Sequence, residues 1–479
     1  MGEPTALNRS DAHVAGRTDL PPRLTGASLV GVRPRTPLLH AITAIGARPR
    51  NYSASDLPAG LALGAHTGIL TGRLDSPGEH AFRVVVENDR GRDEAAIRVV
   101  VGDRLALTPP MGWMSWNMFG RHIDAELIRQ TADAMIGSGM HDAGYAYVCI
   151  DDVWHGERDA SGRLHADPDR FPTGIRSLAD YLHERGLKLG LYSDAGAMTC
   201  GRQPGSFGFE RQDAETFASW GVDYLKYDYC HAPPEREAAV ERYTTMARAL
   251  RETDRSVVFA VCEWGVRAPW EWAADAGGHL WRTTGDIADA WTMGESGWMG
   301  IVDALDRQDG LHIYAGRGWH DPDMLLAGLR GSGAESSRAP EAGGCTDAEY
   351  RSQMSLWAVL GAPLLASCDL RSLDAATLET LTNPEIVAIG QDPLGMPGRR
   401  IARVGPLDAW ARPLADGAQA LALLNRAEEP LNTTVPLDAL GLSGAGRARD
   451  IWAHEDLDLA GGLVALAIAP HATAVLLFV

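Results

Sequence analysis

Tyr224-Leu-Lys-Tyr-Asp-Tyr-Cys230 is a run of bulky residues that ends by presenting a carboxylate, Asp228, flanked by Lys226, Tyr227 and Tyr229. A barrel strand that reaches a catalytic rim has this pattern. Lys226 and Lys188 are the only lysines in the chain; arginine supplies every other fixed positive charge. Side chains at i and i+2 on a strand share a face. The pattern therefore sets a compact ammonium beside Asp228, a role for which arginine is a poor substitute. A strand-end salt bridge would explain the pair equally well, so the surrounding chain has to decide.

From Leu107 onward, apolar strand-like runs alternate with amphipathic segments, the signature of βα units and a parallel sheet. The strands are expected to end at Trp116, Asp152, Ser193, Asp228, Glu263, Asp286, Gly316 and Asp369. Helices over Asp124–Ser138 and Ile175–Arg185 cover them, each followed by a glycine suited to a C-cap. Eight strands over roughly 290 residues fit a (β/α)8 TIM barrel across 104–400. Five of the eight finish in carboxylates, which a purely structural barrel does not need. Residues 1–23 read as a flexible tail. Over 24–103 short strands dominate, with a hairpin made by His80–Glu87, the turn Asn88-Asp-Arg-Gly91 and Ala95–Val101. This unit resembles the small Ig-like domains appended to bacterial secreted and surface enzymes, and a β-sandwich without a catalytic role is expected. Over 401–479 the segments Asp408–Pro413, Ala418–Asn425, Leu431–Leu437, Ala448–His454 and Leu463–Val479 predict an antiparallel β-sandwich with a packing role.

The formal charge of −19 argues against nucleic acid and against anionic membrane surfaces as partners, and suits a neutral substrate. Many of the fourteen tryptophans stand beside charged residues, which fits stacking on sugar rings as well as ordinary packing. No run is long enough to predict a membrane span. Met1–Pro22 has no apolar h-region, so the sequence as written predicts a cytoplasmic protein, or a secreted one whose leader lies outside it. Six cysteines without CxxC or His-rich spacing predict neither a disulfide framework nor a metal site, and no organic cofactor is expected.

Seven motifs occur in order. They are Pro109-Pro-Met-Gly-Trp-Met-Ser-Trp-Asn-Met-Phe-Gly120, Ile150-Asp-Asp-Val-Trp154, Tyr192-Ser-Asp194, Lys226-Tyr-Asp-Tyr-Cys230, Cys262-Glu-Trp-Gly265, Trp281-Arg-Thr-Thr-Gly-Asp286 and Asp321-Pro-Asp-Met324. Ala362-Pro-Leu-Leu365 and Gln391-Asp-Pro-Leu-Gly395 follow them. From Leu107 to the C-terminus this series resembles glycoside hydrolase family 27, the α-galactosidase and α-N-acetylgalactosaminidase family. The resemblance implies a retaining enzyme with Asp228 as nucleophile and Asp286 as acid, then base. It also implies that Asp151 and Asp152 accept from O4 and O6 of galactose, and that Lys226 donates to O3 and O4. Trp116, Tyr192 and Met324 would form an apolar wall, and Arg282 would aim at the 2-OH region. Lys226 favours the Asp228 anion, that anion favours a protonated Asp286, and Arg282 opposes the latter. Trp113, Trp154 and Trp264 are expected to be structural.

By the same resemblance, Glu263 accepts from a free 2-OH, and Val266 behind it would crowd an N-acetyl group. Galactose is thereby preferred over N-acetylgalactosamine. The Asp151/Asp152 pair leaves room for C6, which argues against an arabinopyranoside. Cys200 and Cys230 match a family disulfide. A second family pair is replaced by Arg121 and Val153, leaving Cys149, Cys262, Cys345 and Cys368 as buried thiols. Met114, Arg317 and His320 depart from the family pattern at positions expected to border the leaving group, and His320 lacks partners at metal-ligand spacing. The expected function is a retaining exo-α-galactosidase acting on an oligosaccharide or small α-galactoside. The alternatives are an α-N-acetylgalactosaminidase, a β-L-arabinopyranosidase, an isomalto-dextranase, or a catalytically weak galactoside-binding protein.

Overall fold

The structure is a computed structural model that describes residues 20–294, 297–334, 343–438, 447–457 and 459–478. The expected tail falls outside these residues up to position 19. Its last residue is not loose: Arg23–Leu24 is a strand paired with Ala44–Ile45.

Eight parallel strands form one curled, TIM-like sheet. They are β1 (Met111–Met114), β2 (Tyr147–Ile150), β3 (Lys188–Asp194), β4 (Tyr224–Asp228), β5 (Val258–Val261), β6 (Leu280–Arg282), β7 (Trp319–Asp321) and β8 (Leu364–Ala366). The hydrogen-bonded order is β7-β6-β5-β4-β3-β2-β1-β8. An isolated parallel bridge, Leu325 to Ala366, brings the chain after β7 against β8. The strands are buried on both faces and so read as continuous apolar runs, as parallel sheets require. Covering helices form where the apolar spacing is three to four residues. In Ala125–Gly137, Asp124 caps the N-terminus by accepting from Leu127 N at 2.8 Å, and Leu127, Ile128, Ala132 and Met135 face inward. Full burial of a side chain such as Ile128 contributes about 1.5–3 kcal/mol.

Several strand ends differ from the sequence expectation. Trp116 opens a short helix, Trp116–Phe119, rather than closing β1. Asp286 lies four residues beyond the end of β6. Gly316 precedes β7 instead of ending it, and β8 ends at Ala366, before Asp369. A Cβ on nearby Gly318 would stand 2.5 Å from the Trp281 ring. Glycine in that stretch therefore marks a close approach, not a terminus.

The N-terminal segment forms a four-stranded sheet and a three-stranded sheet around a core that includes Val32, Leu70, Val84, Val86 and Val99. Its long hairpin pairs Gly78–Asn88 with Gly91–Val101. It docks on the barrel through Thr25 to Asp142 O, and through Arg33 N and Thr36 Oγ1 to Ser256 Oγ at 2.8 and 2.6 Å. At the other end, a six-stranded and a two-stranded antiparallel sheet pack together. The expected strand Leu463–Val479 is two strands, Leu463–Ile468 and Thr473–Phe478, and Ala448–His454 is strand only as far as Asp450. A charge cluster ties this unit to the barrel. Asp306 pairs with Arg400, with Arg403 at 3.5 Å and with Arg426 at 2.5 Å, while Asp309 pairs with Arg400 at 2.9 Å. Asp408 pairs with Arg400 and Arg426 at 2.9 and 2.8 Å.

Candidate active site

The C-terminal rim of the sheet gathers the acidic residues. β3 and β4 run in register with Tyr192 beside Lys226 and Asp194 beside Asp228. The Tyr192 hydroxyl donates to Asp228 Oδ2 at 3.0 Å, and the Tyr229 amide donates to Oδ1 at 3.0 Å. Asp228 is only 6% exposed. Burial pushes its carboxyl up to about 7; the Lys226 ammonium pulls it down, and the charge of Asp286 pushes it up again. Tyr192 is thus a hydrogen-bond donor to the central carboxylate, a role beyond the apolar wall expected of it.

Lys226 Nζ contacts Asp151 Oδ2 at 2.8 Å and lies 5.5 Å from the centre of the Tyr192 ring. Burial works against the ammonium, but Asp151 and Asp228 hold it well above its ordinary value. Asp152 is tied down by backbone: its Oδ1 accepts from Val153 N at 2.6 Å and its Oδ2 from Gly201 N at 2.6 Å. Val153 has a φ of 69°, a strained value for a β-branched residue, and it turns the chain where the two acids meet the rim.

After β5, Glu263 is fully buried. Its Oε2 accepts from Arg267 N at 2.8 Å and Arg267 Nη1 at 3.1 Å. Its Oε1 is buried without a hydrogen-bond partner among the described residues. Burial pushes this carboxyl up to about 7, against the pull of Arg267. Val266 is 69% exposed, so it does not press on a buried pocket as expected. Arg282, at the end of β6, is buried between Asp286 at 3.2 Å and Asp323 at 3.0 Å, and also donates to Gly285 O at 2.8 Å. Asp286 itself is 30% exposed and is the solvent-facing member of the group. Trp116 is half-buried above a cluster within the barrel that includes Met114, Tyr224, Trp319 and Leu365. Met324 belongs to that cluster and is buried in it beside Trp116.

Cys200 and Cys230 form a disulfide, and Cys149, Cys262, Cys345 and Cys368 are free and buried. Cys200, Cys230, Asp194 and Asp228 bring ligand-type atoms within 4.8 Å of one another, but both sulfurs are consumed by the disulfide. Trp113 Nε1 donates to Cys368 O, and Trp154 Nε1 to Tyr192 O, in keeping with structural roles. His320 accepts from Trp281 Nε1 at 2.9 Å and bonds Leu311 O at 3.0 Å, so both ring nitrogens are occupied. Arg317 pairs with Asp275 and stands before β7, at the opposite end of the barrel from the rim. Met114 is buried in the cluster that also holds Met324 and abuts Trp116.

Three further acids stand at the site, each inside one of the motifs. Asp194 accepts from Gly196 N at 2.6 Å and Cys230 N at 2.9 Å, and burial, with the charge of Asp228 beside it, raises its carboxyl to about 8. Asp321 ends β7 in register with Arg282, and burial raises it to about 6. Asp323 holds Arg282 and accepts from Ile287 N at 2.9 Å.

A curled, TIM-like parallel sheet whose C-terminal ends converge on buried carboxylates is the construction of an enzyme with its site on that rim. Residues 108–392 match the family model described as alpha galactosidase A, and 404–478 match that of the alpha galactosidase C-terminal beta sandwich domain. Alpha-galactosidase 2 of Arabidopsis thaliana is 44% identical over 398 residues, covering 82% of this chain and 94% of the plant protein. The human alpha-N-acetylgalactosaminidase is 40% identical over 382 residues, covering 74% and 88% of the two chains. A solved structure from Bacteroides fragilis, described as a putative alpha-galactosidase/melibiase, superposes with a TM-score of 0.93 at 44% identity, covering 99% of this chain and all of that one. The chain belongs to the α-galactosidase family of glycoside hydrolases, family 27.

Proposed function

We propose that the protein is a retaining exo-α-galactosidase. Asp228 attacks the anomeric carbon from the face opposite the leaving oxygen. As the C–O bond breaks, Asp286 gives its proton to that oxygen, leaving a galactosyl ester on Asp228. Asp286 then takes a proton from water; the resulting hydroxide attacks the same carbon, the ester bond breaks, and α-galactose departs. Two inversions give net retention, a chemistry that needs carboxyls roughly 5 Å apart. The observation that carries this reading is the unlike surroundings of the two acids. Asp228 is buried and receives two hydrogen bonds, from Tyr192 and from the Tyr229 amide. Asp286 faces solvent, where a leaving group and a water can reach it.

The sugar is held by Asp151, Asp152 and Lys226 at its O3, O4 and O6 side, and by Trp116, Tyr192 and Met324 along the ring. Arg282 and Glu263 take the C2 side, where the unpartnered Glu263 Oε1 favours a free 2-OH. Val266 is 69% exposed and so would not crowd a 2-acetamido group from a buried position, which is the observation that favours the second reading, an α-N-acetylgalactosaminidase. The chain divides into an Ig-like sandwich over 24–103, a closed (β/α)8 barrel over 104–400 and a C-terminal sandwich over 401–479. The substrate is a terminal α-galactoside, with no metal or organic cofactor. Turnover of aryl α-glycosides differing at C2, C4 and C5 tests this. The galactoside should be cleaved fastest, with α-galactose as first product, and Asp286→Asn should lose about 10²–10⁴-fold in kcat. A first product of β configuration, or full activity in Asp228→Asn, overturns it.

A further inference from the structure

Lys188, the second lysine of the chain, stands at the opposite end of the barrel from the carboxylate rim. It opens β3, the strand whose last residue is Asp194, and it pairs in register with Tyr147 at the start of β2. Its ammonium lies 5.2 Å from the centre of the Tyr147 ring. Neither that ammonium nor the Tyr147 hydroxyl has a hydrogen-bond partner among the described residues. Both residues line a recess of about 100 Å3, formed by the N-terminal segment on one side and the foot of the barrel on the other. The two units meet there backbone to backbone: a Cβ on Gly144 would stand 2.8 Å from Gly26 Cα. Val30, Leu38, Met111 and Val258 give the recess apolar walls.

The other titratable groups that line the recess do not supply Lys188 with a counter-charge of its own. Asp223 is already engaged: Oδ1 accepts from Arg255 Nη2, while Oδ2 accepts from Leu189 N at 2.9 Å and bonds His183 Nε2 at 2.8 Å. His40 and His141 bond Ala27 O and Tyr145 O at 3.2 and 3.0 Å. Burial holds His40 down at about 3 and lowers His141, so both rings are neutral near pH 7. Burial also pulls the Lys188 ammonium below its ordinary value; Asp223 opposes this and Arg255 adds to it. A charge that loses water without gaining a partner is costly, and an anion beside it offsets that cost. One ammonium and one phenol are too few donors for phosphate or sulfate, and the apolar walls favour an ion that sheds water readily. The recess has room for about three waters or for one halide ion. We propose that it is a chloride-binding site in which Lys188 and Tyr147 hold the anion, and that the bound ion ties the N-terminal segment to the barrel. Because both units build the recess, chloride binds the docked state and stabilises it by mass action. The site lies away from the catalytic carboxylates and is independent of the α-galactosidase reading.

The test is thermal melting of the full chain at pH 7 and constant ionic strength, with sodium chloride replacing sodium gluconate, whose anion is too large for the recess. The wild-type midpoint should rise along a saturating curve, by about 2 °C or more at about 200 mM chloride. Lys188→Met should keep only the shallow linear change that any protein shows between the two salts. Tyr147→Phe, which keeps the ring, should need about tenfold more chloride to reach half the shift, and it carries the test if the lysine variant fails to fold. Crystals soaked in bromide should show anomalous scattering within hydrogen-bond reach of Lys188 Nζ. A wild-type response that does not saturate, a saturating response that survives unchanged in the variants, or a recess without bromide overturns the assignment.

Discussion

Tyr192 gives its hydroxyl hydrogen to Asp228 Oδ2 at 3.0 Å from the adjacent strand. A hydrogen bond to the ionised form favours that form. Tyr192→Phe removes the donor and leaves the ring, so the Asp228 carboxyl rises further above its ordinary value. Because Asp228 has to be ionised to attack, the acid limb of the kcat/KM profile moves to higher pH. A pH–rate profile checks this; a limb that stays put or moves down refutes it.

Burial has raised Asp228 to about 7. An acid whose folded value lies above its unfolded value binds more protons when folded, so between roughly pH 4 and pH 7 its contribution to stability falls as pH rises. Asp228→Asn removes that cost. The variant is expected to be inactive yet more stable than wild type at pH 8, with the gain shrinking toward zero near pH 4. Thermal melts of both proteins across that range provide the measurement.

The Lys226–Asp151 pair is buried, with side-chain exposures of 12% and 2%. Lys226→Met leaves the Asp151 charge without its counter-ion and is expected to cost about 3–5 kcal/mol. Adding Asp151→Asn to that variant should restore part of the loss, because the uncompensated charge goes with it. Denaturant midpoints of the single and double variants decide the matter, and a double variant less stable than Lys226→Met would contradict the account.

The Cys200–Cys230 bond closes a loop of 30 residues next to Asp228. By chain entropy, its removal in the paired Cys200→Ser, Cys230→Ser variant is expected to lower stability by about 3–4 kcal/mol. The chemical step should suffer much less, since Tyr192 and the Tyr229 amide still hold Asp228. Equilibrium unfolding, set beside kcat at low temperature, separates the two effects.

How much of this was legible beforehand depended on whether the signal was local. Strand β4 and its terminal carboxylate could be read from one heptapeptide, and the alternation of strand and helix followed from hydrophobic period alone. The role of Asp194 could not, because it arises from register with a strand more than thirty residues away. The same holds for Asp323, which matters only because β6 delivers Arg282 against it. Met299 carried no motif and comes to lie against Asp286 only through the bridge between Ile287 and Met299. Gly316 misled the reading of β7 for a related reason. A glycine-rich stretch signals a break in the chain, whereas here Gly318 admits the Trp281 ring, a contact no local window contains.

Asp306 and Asp309 rise from the barrel between β6 and β7, yet their counter-ions Arg400, Arg403 and Arg426 all belong to the C-terminal sheets. Asp306 and Asp309 thus keep their counter-charges only while the two units stay together. Detaching the sheets would strand like charges on both cut faces, so neither part has an electrostatically balanced existence of its own. The two units are accordingly expected to lose structure together on heating, and a truncation at the seam would leave Asp306 and Asp309 without their counter-charges.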